Sequence, residues 1–268
     1  MVSQGYKGWI QTNLSKFYED NIRNDFCVRF LCETPVKQMT FQEAADYTIK
    51  LINEVYDGNL LLFLSGGLDS EFLAEVLLRN KIPFKLVLIK TLTNASEIWY
   101  AEKFCFDNKL DPIIIDLTSK DRHKEMLAYF FHFSKKFHLR PERSLLQNFV
   151  YNRYKLSGNV LTGFGQSFPD SEEFHSKLGD EAIFDSYDYF FNLQYSNHPG
   201  PFFTFTPEIL TAQIKEVDYT LNCQMAKAKL YKLHYRSKLD DRLSSNLQYS
   251  DCKTWVDRIQ EQRSEEHT

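Results

Sequence analysis

Apolar and polar positions along this chain fall into short blocks, and the period of each block changes at glycines and prolines. Residues 41–56 carry Ala45, Ile49, Ile52 and Tyr56 at helical spacing, with Ala44 and Val55 beside them. Thr40 precedes this stripe and Glu43 follows three residues later, the spacing of a capping box. Gly58 stands just past the end, where a helix terminator belongs. Residues 60–64 (LLLFL) are a continuous apolar run, which predicts a strand buried on both faces of a parallel sheet. SGGLDS follows at 65–70. From Asp69 the period becomes helical again, through Phe72, Leu73, Val76 and Leu77.

The same strand–helix alternation continues. Pro83 breaks the helix, and residues 84–89 (FKLVLI) read as a second strand. Residues 96–106 are helical, and 112–117 (PIIIDL) read as a third buried strand. Met126, Leu127, Phe130 and Phe131 give residues 119–138 a helical face, and 144–156 is a further helix ended by Gly158. Residues 159–162 (NVLT) read as a fourth strand running into Gly163, Phe164 and Gly165. Residues 209–216 and 221–233 are predicted helices. Alternation of this kind predicts an α/β fold with a doubly wound, Rossmann-like parallel sheet and a mostly helical C-terminal part. Residues 1–40 show weak periodicity and read as an arm of short elements before a single domain at 41–268. The charged residues 260–268 are expected to fray.

Composition narrows the class without naming a chemistry. With 268 residues, 43% hydrophobic, the chain can bury a full core. A formal net charge of -4 provides no global basic field for nucleic acid. The cluster Lys135, Lys136, His138, Arg140 and Arg143 reads as a solvated face, or as a local nucleic-acid patch. Five scattered cysteines form no C-x-x-C pair, which argues for a reducing compartment and against the usual zinc pattern. No long apolar span or signal-peptide pattern is present. A soluble cytoplasmic protein that does not engage a membrane is the expectation.

The chemistry-bearing stretch is the turn at 65–70. A glycine turn between a buried strand and a helix leaves first-turn N–H groups and a positive dipole end available to phosphate. It is not the Walker loop, because no Lys follows Gly67 at that spacing, and no third glycine makes a dinucleotide fingerprint. SGGLDS resembles the pyrophosphate loop (SGGxDS) of the N-type ATP pyrophosphatases, the superfamily of asparagine, NAD, GMP and argininosuccinate synthetases and tRNA-lysidine and tRNA-thiolation enzymes. Two further segments resemble the asparagine synthetase branch. NVLTGFGQSFPD at 159–170 is similar to its V-L-S-G-E-G-A-D-E segment. The tail 234–261 is similar to its W-R-x-K-E-x-F pattern and the W-[IV]-D helix, matched by Tyr235, Arg236, Lys238, Trp255, Val256 and Asp257. The HPGP turn leading into PFFTFTPEI resembles the family's PFLD-type segment.

The resemblance, over roughly residues 41–261, implies an adenine nucleotide alpha hydrolase-like fold and an ATP-dependent carbon–nitrogen ligase. Such a ligase adenylates a carboxylate with loss of pyrophosphate, then joins it to ammonia or an amine. It implies that Ser65, Gly66, Gly67, Leu68, Asp69 and Ser70 hold pyrophosphate and that Asp69 carries Mg2+. It implies further that Arg236 and Lys238 stabilise the leaving group, that backbone near Leu88 and Ile89 meets adenine, that Gly163 and Gly165 face the nucleotide, and that Glu97 faces nucleotide or substrate. The family's second metal-binding acid is missing: its acid pair is replaced by Ser167 and Phe168. Asp170, Glu172, Glu173 or Asp180 stand near enough to substitute; otherwise activity is weakened or lost. Residues 1–40 leave no room for the family's glutaminase domain, so nitrogen is expected from free ammonia, an amine or a separate donor protein. Two alternatives remain: a PP-loop enzyme that modifies tRNA or DNA bases, and a catalytically impaired nucleotide-binding protein.

Overall fold

The structure, a computed structural model, describes residues 10–12, 28–30, 36–137, 143–163, 199–218, 220–221 and 223–232. Within residues 1–40, β1 (Ile10–Thr12) and β2 (Val28–Phe30) form a separate antiparallel pair with Ile10 opposite Phe30. The main body then alternates as the periodicity predicts: α1 (Phe41–Val55), β3 (Leu60–Phe63), α2 (Leu68–Arg79), β4 (Phe84–Lys90), α3 (Ala95–Asp107) and β5 (Ile113–Asp116). There follow α4 (Lys120–Phe137), α5 (Arg143–Arg153), β6 (Asn159–Thr162), β7 (Gly200–Pro201), a 3-10 turn (Phe202–Thr204), α6 (Pro207–Glu216) and α7 (Cys223–Tyr231).

Local chemistry sets the helix starts. The Thr40 hydroxyl accepts from the Glu43 N–H, and the Glu43 carboxylate accepts from the Thr40 N–H at 2.9 Å, which completes the capping box on α1. The Thr206 hydroxyl caps α6 by accepting the Ile209 N–H at 3.3 Å, with Pro207 at the first helical position, where its missing N–H costs nothing.

Strands β3 to β7 make one sheet in the order β5-β4-β3-β6-β7, with every pair parallel. The fold is therefore an α/β, doubly wound, Rossmann-like sheet. The order explains the layers. From β3 the chain steps outward to β4 and β5, then returns past β3 to β6 in the opposite direction. Right-handed crossovers put helices from opposite directions on opposite faces. Alternate residues of β3, and Leu64 just beyond it, accordingly feed two cores. Leu60, Leu62 and Leu64 join α1, α2, α3, α6 and α7, whereas Leu61 and Phe63 join α4 and α5. Each fully buried aliphatic or Phe side chain contributes about 1.5–3 kcal/mol.

One expectation needs correction. The third strand reads as buried, yet β5 lies at the sheet edge, with Ile113 and Ile114 40% and 51% exposed. An apolar run does not reveal whether its strand has one neighbour or two. The two-residue β7 is too short to leave a period in the sequence.

Candidate phosphate-binding site at the central loop

The strand order reverses between β3 and β6. In open α/β sheets, ligands bind beyond the carboxyl ends of the strands at such a reversal. The 65–70 turn leaves β3 there, and Gly163 leaves β6 beside it. A side chain at Gly163 would sit 3.1 Å from the Asp69 carbonyl carbon and oxygen. Two chain ends thus meet backbone to backbone at the start of α2. Gly66 is required more strictly. Its φ is +84°, and a Cβ there would fall 1.9 Å from the Glu97 carbonyl oxygen in the first turn of α3.

The two serines shape the turn. The Ser70 hydroxyl donates to the Gly67 carbonyl at 3.1 Å and accepts the Ser65 N–H at 3.2 Å. The two hydroxyls lie 3.1 Å apart, and Ser65 Oγ accepts the Gly67 N–H at 3.2 Å. With Ser70 donating to Gly67, the Ser65 hydroxyl is the donor between the pair. The Ser65 and Gly67 amides are therefore spent on the turn itself. No side chain caps α2 at Gly67. The first-turn N–H groups of Leu68, Asp69 and Ser70 have no acceptor among the described residues. They, with the positive end of the α2 dipole, are what the turn can offer an anion.

Asp69, the second residue of α2, is held from the C-terminal part of the chain. Lys227 Nζ donates to its Oδ2 at 2.7 Å, and the Tyr231 hydroxyl donates to its Oδ1 at 2.7 Å. Both donors belong to α7. No sequence motif marks either residue. Their spacing of four places them on one face of a helix expected at 221–233. Nothing in the sequence says which partner, 158 and 162 residues earlier, that face meets.

The remaining expected residues fall as follows. Leu88 and Ile89 lie in β4, buried in the sheet and paired with Ile114 and Ile115. The Ile89 carbonyl accepts from Asn94 Nδ2 at 2.7 Å, and Asn94 Oδ1 accepts the Thr91 N–H at 2.8 Å. A hydrogen-bonded loop thus closes over the end of β4. Glu97 is half-buried beside the turn. Gly165, Ser167, Phe168, Asp170, Glu172, Glu173, Asp180, Tyr235, Arg236, Lys238, Trp255, Val256 and Asp257 lie outside the described residues.

Magnesium takes oxygen ligands, keeps several waters and commonly uses one or two carboxylates with substrate phosphates. Among the described residues no group of three His, Cys, Asp or Glu could form a protein cage. Asp69 fits the shared kind of site. Each of its oxygens accepts one described bond, which leaves a lone pair for a cation beside phosphate oxygens.

No family model matches the sequence, and no curated protein does. Solved structures resemble part of it. An NH3-dependent NAD synthetase from Campylobacter jejuni, in complex with nitrate, aligns at TM-score 0.33 and 24% identity, over 46% of this chain and 56% of that one. An NMN synthetase from Francisella tularensis aligns at 0.32 and 13%, over 46% and 54%. A glutamine-dependent NAD+ synthetase from Acinetobacter baumannii, in complex with ADP, aligns at 0.32 and 14%, over 50% and 27%. The alignments thus span about half of the first two chains and a quarter of the third. The three are NAD and NMN synthetases, whereas the motifs resemble asparagine synthetases. At these levels the likeness is to part of a backbone, and nothing about the site rests on it. None of the helices among the described residues is long and apolar enough to cross a membrane.

Proposed function

We propose that the 65–70 turn holds the β,γ-pyrophosphate of ATP, and that the protein is an ATP-dependent ligase forming AMP and pyrophosphate. One observation carries this reading. An uncapped helix N-terminus, shaped by two serines and a left-handed glycine, opens at the point where the strand order reverses. A phosphate chain is the ligand that such a set of N–H donors suits.

In this mechanism the N–H groups of Leu68, Asp69 and Ser70 grip the outer phosphates. That leaves the α-phosphorus open to an incoming carboxylate. Magnesium, when bound at Asp69 beside the phosphate oxygens, supplies positive charge against the departing pyrophosphate. Arg236 and Lys238 supply more from the tail. The finer reading is asparagine synthetase-like: the adenylated carboxylate is then attacked by ammonia or an amine to give an amide. The protein's work is orientation and charge neutralisation.

The test follows AMP, ADP, pyrophosphate and phosphate from labelled ATP, with candidate carboxylates and amines. AMP plus pyrophosphate is expected, and ADP plus phosphate would sink the reading. Asp69→Ala should abolish magnesium-dependent pyrophosphate release; unchanged turnover would remove Asp69 from the mechanism. Lys238→Ala should lower the rate by more than it lowers ATP affinity, and equal losses would reduce Lys238 to ground-state binding.

A further inference from the structure

Asp69 receives two donors of different character from one helix. Tyr231 is neutral and rigidly held. Its ring is 2% exposed and lies 4.4 Å from Phe72, 5.7 Å from Phe203 and 5.8 Å from Phe41, centroid to centroid. Its hydroxyl fixes the direction of Oδ1 and adds no net charge. Lys227 is cationic. Its side chain is 12% exposed against 26% for Asp69, so the pair is only partly screened by water. Its ammonium offsets the carboxylate charge that a metal ion would seek.

We propose that Tyr231 and Lys227 are positioning residues that set, in opposite senses, how strongly Asp69 takes a divalent cation at the loop. This rests on the reading of the turn as a pyrophosphate site. Tyr231 holds the carboxylate in one orientation, so cation binding costs less rotational freedom; partners of this kind are worth about 10–100-fold in metal affinity. Lys227 places a like charge beside the incoming cation and lowers its affinity. The balance lets the turn take a metal with its phosphate ligand while holding little metal without it.

The experiment uses the full chain and inorganic pyrophosphate, with binding measured calorimetrically in EDTA and in saturating Mg2+. The readout is the ratio of the two dissociation constants, that is, the tightening due to metal. Tyr231→Phe keeps the ring in its stack and removes only the hydroxyl. It should lower the ratio about tenfold. Lys227→Gln keeps a donor for Oδ2 and removes the charge. It should raise the ratio several-fold. Circular dichroism melts establish that each variant is folded, and Lys227→Met replaces the Gln variant if that one is not. A purely structural role would move both ratios the same way or neither, and either result overturns the proposal. Equal binding by the wild type in EDTA and Mg2+ would overturn it while leaving the anion site intact. No pyrophosphate binding in either condition would overturn the anion site and the proposal together.

Discussion

Gly66 is where sequence and site constrain each other most tightly. Its positive φ and the 1.9 Å approach of the Glu97 carbonyl leave no room for a side chain. Gly66→Ala must either shift the start of α3 or open the turn. Adopting the left-handed conformation alone costs about 1–2 kcal/mol, and the clash with backbone adds to it. The variant should lose at least about 2 kcal/mol in urea denaturation and lose pyrophosphate binding as well. Retained stability with retained binding would mean that the turn does not have this shape. Ser65 and Ser70 carry a different lesson. From the motif alone both look like ligands for phosphate, but in the fold their hydroxyls are engaged in the turn. Inside the turn each hydroxyl has a backbone partner as well as the other hydroxyl, so the pair shapes the loop.

Among the elements, α7 has the widest reach. It supplies Lys227 and Tyr231 to Asp69, and its Leu230 carbonyl accepts from Gln42 of α1 at 3.1 Å. Its seat is the stack of Phe41, Phe72, Phe203 and Tyr231, which brings together α1, α2, the 3-10 turn and α7. Phe72→Ala removes the ring nearest Tyr231. It should cost about 3–5 kcal/mol and weaken magnesium-dependent pyrophosphate binding through α7, although Phe72 lies outside the turn. If stability falls and binding per folded molecule does not, α7 does not govern Asp69. The stack was not legible beforehand. Phe72 reads as a helix-face residue and Phe41 only as the start of a helix, and nothing in the spacing of either named Tyr231, more than 150 residues away, as their neighbour.

At the scale of the molecule, the sheet order decides where the site lies. Four of the five parallel strands were legible as short blocks, and β3 most clearly, because a strand covered on both faces has no polar side to break its apolar run. Their order was not, since the same runs serve an edge strand such as β5 and a central one such as β3. The core also predicts a pH response. Cys105, 3% exposed on the buried face of α3, has its thiol pushed up from 9.0 to about 11 by burial and by the nearby Glu102 carboxylate. As pH rises past 9 the unfolded chain releases this proton while the folded chain keeps it. Stability should therefore fall between about pH 9 and 11, on the order of 2 kcal/mol for this group. Chemical denaturation across that range checks it. Cys105→Ala should flatten the slope relative to wild type, and an identical slope would mean that the thiol is not shielded.

The sequence by itself determined the alternation of strands and helices, the capped start of α1 and the glycine turn after β3. Each of these is set by neighbours within a few residues, through period, capping and backbone freedom. Only the tertiary structure decided that β6 lies beside β3, that β5 is an edge, and that Lys227 and Tyr231 close on Asp69. Those contacts join residues far apart in the chain. They depend on crossover handedness and on which apolar faces pack together, and no local pattern records either.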